Sequence, residues 1–180
     1  IDWTIIDSPG AARRFADKLA EAPRTSQSWT AVGAALVHAG QRFEDAPFVA
    51  KRRVIDVSGD GRTNDGPPAE IVRDKLVSQG IVINGLPIIL KPDHRSGFFD
   101  IRDLDKYYKD CVIGGFGAFV IPVRAKNEFA PAIRRKLILE IAGLVPGSTG
   151  EARLIRTQAA APEEKSNCLV GEKLWRLYID

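Results

Sequence analysis

The sequence predicts an α/β domain built on a mostly parallel sheet with helices over both faces. Three observations carry this. Short runs rich in β-branched residues, such as Val54-Ile55-Asp56-Val57, alternate with longer stretches whose apolar residues recur at helical spacing. The order along the chain is β-α-α-β-α-β-α-β-α, and strands alternating with helices form parallel sheets covered on both faces. The run Arg53–Ser58 passes directly into Gly59, Asp60, Gly61, Asn64, Asp65 and Gly66, a turn of small, mostly oxygen-bearing residues. Open α/β sheets bind ligands at the carboxyl ends of strands, because the loops there leave a crevice.

The elements follow in order. Ile1–Ile6 has strand character. Asp7 and Ser8 are candidate N-caps, and Pro9 suits a first helical turn. Ala12, Phe15, Ala16, Leu19 and Ala20 share one face of a helix over about Pro9–Ala22, which Pro23 ends. Thr25–Thr30 is a hydroxyl-rich loop. Val32, Ala35, Leu36, Ala39 and Phe43 predict a second helix, small enough in side chain to lie close to a sheet. After the strand Arg53–Ser58, Pro67 and Pro68 open a third helix that runs to Ser78, with Gly80 as its C′ residue.

Ile81–Ile89 is a second buried strand, and Leu90–Asp100 is an exposed loop carrying Asp93 and His94 on the surface. Asp103–Val112 is a short helix with Leu104, Tyr107, Tyr108 and Cys111 facing inward. Gly114, Gly115 and Gly117 form a loop before a third strand, Ala118–Val123. The last helix spans about Asn127–Ala142, with Phe129, Ile133, Leu137, Ile138 and Ile141 as its apolar stripe. Residues 1–143 make the domain, and 144–180 read as linker and tail, with Leu174–Ile179 a strand or an anchored end.

Composition narrows the function classes. A chain of 180 residues, 44% apolar and 27% charged, is an ordinary soluble globular composition and holds one such domain plus a tail. The net charge is +3 with both signs mixed along the chain, which argues against a nucleic-acid partner. Lys51-Arg52-Arg53 and Arg134-Arg135-Lys136 read as solvated element ends. No apolar run approaches the ~20 residues of a membrane helix. The chain opens at Ile1 with no signal-peptide pattern and has no Met, so it reads as a processed product or a fragment. Cys111 and Cys168 lack metal-binding spacing and leave two states open, a disulfide or buried thiols.

Carboxylate, hydroxyl and amide oxygens on the turn after Arg53–Ser58 suit a hard divalent cation. The same residues also suit a plain strand-to-helix turn, since they tolerate positive φ. His38 has no second ligand at metal spacing, and no nucleophile, zinc or phosphate-loop motif of the kinds GxSxG, HExxH or GxxxxGK[ST] is present. Cys111 on an apolar helix face is a poor nucleophile.

Four blocks occur in order: RVIDVSGDGRTNDG, INGLPI, YYKDCVIGGFGAFV and AIRRKLILEIAG. Together they closely resemble the bacterial family called domain of unknown function 1194, which is related to von Willebrand factor type A domains. The resemblance runs from about Trp3 to Gly143. It implies a Rossmann-like three-layer sandwich with a metal-ion-dependent adhesion site at its top. The family's third-loop Asp falls on Asp60 and its second-loop Thr on Thr30, with Thr25 less suited and Ser58 and Asn64 lining the site. The family's first-loop DxSxS has no counterpart here, so the resemblance implies that the N-terminal part of the domain, with its central strand, is absent from this chain. A further segment or chain then completes the sheet, and a longer protein is the expectation.

The function implied is a non-enzymatic protein-binding module. It would use Mg²⁺, or Mn²⁺ or Ca²⁺, held weakly in this fragment, to engage an acidic residue of a partner protein. A scaffold that has lost metal binding is the alternative, and a metal-assisted hydrolase the remote one. The resemblance further implies an exported protein, periplasmic or extracellular. Cys111 can pair there with Cys168 or with a cysteine elsewhere, or both can stay free.

Overall fold

The computed structural model describes residues 1–23, 29–90, 103–141, 165–171 and 173. Its frame is a pair of parallel strands, β1 (Arg53–Gly59) and β2 (Ile81–Pro87), in register from Arg53 opposite Ile81 to Gly59 opposite Pro87. Side chains alternate between the two faces of a strand. Ile55, Ile81 and Ile83 therefore enter one layer, and Asp56, Asn84 and Leu86 the other.

The first layer is the main core. Helix α2 (Val32–Glu44) brings Val32 and Leu36, and α3 (Ala69–Ser78) brings Ala69, Val72 and Leu76. Helix α4 (Leu104–Tyr107) runs straight into a π-helical turn (Tyr108–Val112). Leu104, Tyr107, Tyr108 and Cys111 all face this core and are fully buried, as their spacing predicts. The Arg73 side chain of α3 donates to the Asp110 carbonyl (2.7 Å), tying that turn to the core.

A short 3₁₀ turn (Lys126–Glu128) leads into α5 (Phe129–Ile141), which covers the second face. Its Ala132 packs with Leu86 and Val123. The apolar stripe expected on this helix faces inward only at Ile133, which packs on that cluster; Phe129, Leu137, Ile138 and Ile141 are exposed, whereas Lys136 is only 5% exposed. Lys136 is thus not a solvated helix end. It sits mid-helix, with Nζ 2.5 Å from the Asp56 carboxylate and 3.4 Å from that of Glu140. The buried ammonium is what needs partners here, and the Asp56 and Glu140 carboxylates supply them from the sheet and from the next turn of the helix.

Asn84 completes this polar cluster. Its Nδ2 donates to Glu140 Oε1 (2.9 Å), and its Oδ1 accepts the N–H of Phe119 (3.2 Å). Two carboxylates share one ammonium. Burial, and then its hydrogen bond with Asp56, raise Glu140 to about 7.

The third expected strand, Ala118–Val123, is reduced to isolated bridges. Gly85 pairs in parallel with Val120 and Ile88 with Val123, while Gly114 pairs antiparallel with Ile83. Pro122 cannot donate to a ladder, and the glycines before it bend the chain. The other edge, on β1, is different. The Ile88 N–H donates to the Gly59 carbonyl (2.8 Å), so Gly59, Val57 and Ile55 turn their backbone groups toward β2. Val54, Asp56 and Ser58 turn theirs outward, and among the described residues they have no backbone partner there.

The N-terminal arm lies near that edge without pairing: Ile1–Ile6 borders Val54–Asp56 across a cavity but belongs to no sheet. Trp3 anchors it, donating from Nε1 to the Arg42 carbonyl (3.0 Å) and meeting the Phe43 ring at 5.7 Å. A cavity of about 520 Å³ opens between arm, α2 and β1, lined by Trp3, Ile6, Phe15, His38, Phe43 and Val54. Helix α1 (Pro9–Glu21) is capped by the Ser8 hydroxyl, as predicted, but buries only Ala11 and leaves Leu19 exposed. The expected strand at 174–179 and the surface pair Asp93 and His94 lie outside the described residues.

The Asp56–Lys136–Glu140 cluster has a pH signature. A Glu raised in the folded state contributes stability that is complete below the unfolded value of 4.5 and is lost as pH rises through about 7. Glu140→Gln keeps the acceptor for Asn84 and removes that titration. Urea denaturation should show a flatter stability profile between those pH values, with the variant gaining on the order of 1 kcal/mol at pH 8.

Candidate functional site

The turn after β1 sits at the carboxyl end of both parallel strands, where the topology leaves a crevice. Ser58 and Asp60 are exposed at its rim, and Thr30 is half-buried beside it. Two backbone-directed hydrogen bonds clamp the loops together. The Thr30 N–H donates to Asn64 Oδ1 (2.7 Å), and the Asn64 N–H donates to the Thr30 carbonyl (2.9 Å). Gly61 lies against the Thr30 hydroxyl, so a Cβ there would come within 2.7 Å of Oγ1. Thr30 and the residue next to Asp60 therefore meet at one end of the sheet. Asn64 acts as the clamp between the loops. Thr25 lies outside the described residues.

Beneath the rim the walls are polar but buried. Tyr107, fully buried, accepts the Thr63 N–H at its hydroxyl (3.2 Å). The Thr63 and Tyr108 hydroxyls are buried as well, and neither has a hydrogen-bond partner among the described residues. Burial, and then the neighbouring Tyr107 and Asp60, hold the Tyr108 hydroxyl above the usual phenol range, so it stays a donor. Sequence reasoning placed both tyrosines in the core by their spacing but gave the Tyr108 hydroxyl no role. Its signal was a polar tip on an inward-facing position.

A second surface backs the loop. Cys111 and Cys168 form a disulfide that spans 57 positions of sequence. It holds residues 165–171 against the π-helical turn, where the Ser166 N–H donates to the Asp110 carboxylate (2.8 Å). Gly171 is pressed on Thr63 so closely that a Cβ would fall 1.8 Å from the Thr63 carbonyl oxygen. A smaller cavity of about 210 Å³ lies alongside, lined by Arg62, Lys106, Lys165 and Ser166 among others.

The oxygen-bearing side chains at this end of the strand pair belong to Thr30, Ser58 and Asp60. Among the described residues no group of three or more His, Cys, Asp and Glu side chains is placed to hold a metal ion. His38 lines the cavity near the N-terminal arm, away from this loop. No helix among the described residues is long and apolar enough to cross a membrane.

Fold and loop together define an α/β protein with an oxygen-rich crevice at the end of a parallel strand pair. The chain belongs to a family described as protein of unknown function (DUF1194), whose model matches residues 1–145. No curated protein matches the chain. No solved structure matches it.

Two outcomes test this anatomy. Asn64→Ala leaves the Thr30 N–H without its acceptor, so stability should fall by about 1–2 kcal/mol and amide exchange at Thr30 should accelerate. Reducing the disulfide should cost about 2–4 kcal/mol in denaturant titrations run with and without dithiothreitol.

Proposed function

We propose that this chain is a non-enzymatic protein-binding module of the von Willebrand factor A type, with a Rossmann-like three-layer architecture. The single observation that carries the reading is the meeting of Thr30 with the turn bearing Asp60 at the carboxyl end of the strand pair. In this reading Asp60 supplies a charged oxygen and Thr30 a neutral one to Mg²⁺, with Mn²⁺ or Ca²⁺ as substitutes. Ser58 lines the approach. Hard cations take about six oxygens, so water supplies the remainder and binding is weak. The Tyr108 hydroxyl, without a partner among the described residues, fits such a site, since the waters of a hydrated cation donate hydrogen bonds that its oxygen can accept. When bound, the cation offers an open coordination position to a carboxylate of the partner.

Two further features support the reading. The disulfide suits an oxidising compartment, consistent with a periplasmic or extracellular protein. The outward-facing backbone of Val54, Asp56 and Ser58 suits an added strand that completes the sheet.

Asp60→Ala tests the assignment. Calorimetric titration with Mg²⁺ should show uptake by the wild-type chain and at least ~10-fold weaker uptake by the variant. Far-ultraviolet circular dichroism should be unchanged, because Asp60 is exposed. Equal uptake by both proteins removes Asp60 from the site.

A further inference from the structure

Tyr108 fills a slot made for it by two glycines. Its ring crosses β1 and β2 where neither strand has a side chain. A Cβ on Gly85 would come within 2.7 Å of Tyr108 Cδ1, and a Cβ on Gly59 within 2.8 Å of Oη. The hydroxyl therefore ends beneath Gly59, directly before Asp60, at the floor of the crevice. The residue is 0% exposed, and the hydroxyl has no hydrogen-bond partner among the described residues.

Phe would fill nearly the same volume without burying a polar atom. Buried hydroxyls in native proteins are almost always hydrogen-bonded, so an orphan calls for a specific cause, such as a missing water or ion. The Thr63 hydroxyl, fully buried under the same loop, is a second orphan. Two unpaired hydroxyls below one turn indicate that the turn encloses something oxygen-bearing. The π-helical turn that starts at Tyr108 adds to this, since such turns concentrate at functional sites.

We propose that Tyr108 is a positioning residue of the Asp60 site, whose hydroxyl oxygen accepts a hydrogen bond from a water of the hydrated divalent cation's shell. This rests on the cation-binding reading above. Tyr108 does not replace Thr30 or Asp60 as a ligand. It holds the inner side of the shell, so that the few protein oxygens suffice.

The test uses the full chain with its disulfide intact. Tyr108→Phe and wild type are titrated with Mg²⁺ alone by calorimetry, and each metal-free protein is melted. Mg²⁺ affinity should fall about 10-fold in the variant. The metal-free melting temperature should hold or rise, because an unpaired buried hydroxyl has been removed. Equal Mg²⁺ affinity in both proteins overturns the role of Tyr108 and leaves the cation site standing. A variant that loses affinity and metal-free stability together also overturns it, since Tyr108 is then purely structural. If wild type takes up no Mg²⁺, the cation reading fails and this inference falls with it. Gly59→Ala gives an independent check: it retains the hydroxyl but crowds it at Oη, and the same loss of affinity is expected.

Discussion

The pairing of β1 with β2 is the constraint from which the rest of the molecule follows. A parallel pair cannot be closed by a tight turn, so the chain must leave one strand, cross over through α3 and return. That crossover buries Ala69, Val72 and Leu76 against Ile55, Ile81 and Ile83. It also points the carboxyl ends of both strands the same way, which is why the turn carrying Asp60 stands at an end of the sheet. Because the pairing is in register over all seven residues, Gly59 and Gly85 fall where one tyrosine ring can reach both.

Much of this was legible in residue order. The β-branched runs marked β1 and β2, the Ser8-Pro9 pair marked the start of α1, and the inward set from Leu104 to Cys111 was readable from spacing alone. Elsewhere single-residue chemistry outranked periodicity. Helix α5 carries an apolar stripe, yet most of it is exposed and Lys136 turns inward to meet the Asp56 and Glu140 carboxylates. A sequence shows the stripe but not that ion pairing. Helix α1 has an apolar face too, and it finds almost nothing to cover. The third strand was mistaken in degree: Pro122 and the preceding glycines leave bridges where a ladder was expected.

The crevice was half legible. A Gly-Asp-Gly turn after a buried strand announces itself, and the resemblance to a known family directed attention to Thr30. What no periodicity shows is the reciprocal clamp between Thr30 and Asn64, which depends on two loops meeting across 34 positions of chain. Nor does spacing reveal that a tyrosine on an apolar helix face ends in an unanswered hydroxyl. Polar atoms at inward positions are the readable trace of such sites, and they are easily passed over when the ring around them is apolar.

The strap formed by residues 165–171 has a practical consequence. The family's matched block ends at residue 145, so it excludes Cys168 and Gly171. A recombinant fragment trimmed to that block would carry an odd cysteine and would expose the Thr63 carbonyl to water. Copies of such a fragment could cross-link through Cys111. A preparation of mixed covalent dimers would then reflect where the gene was cut, not how the native chain assembles.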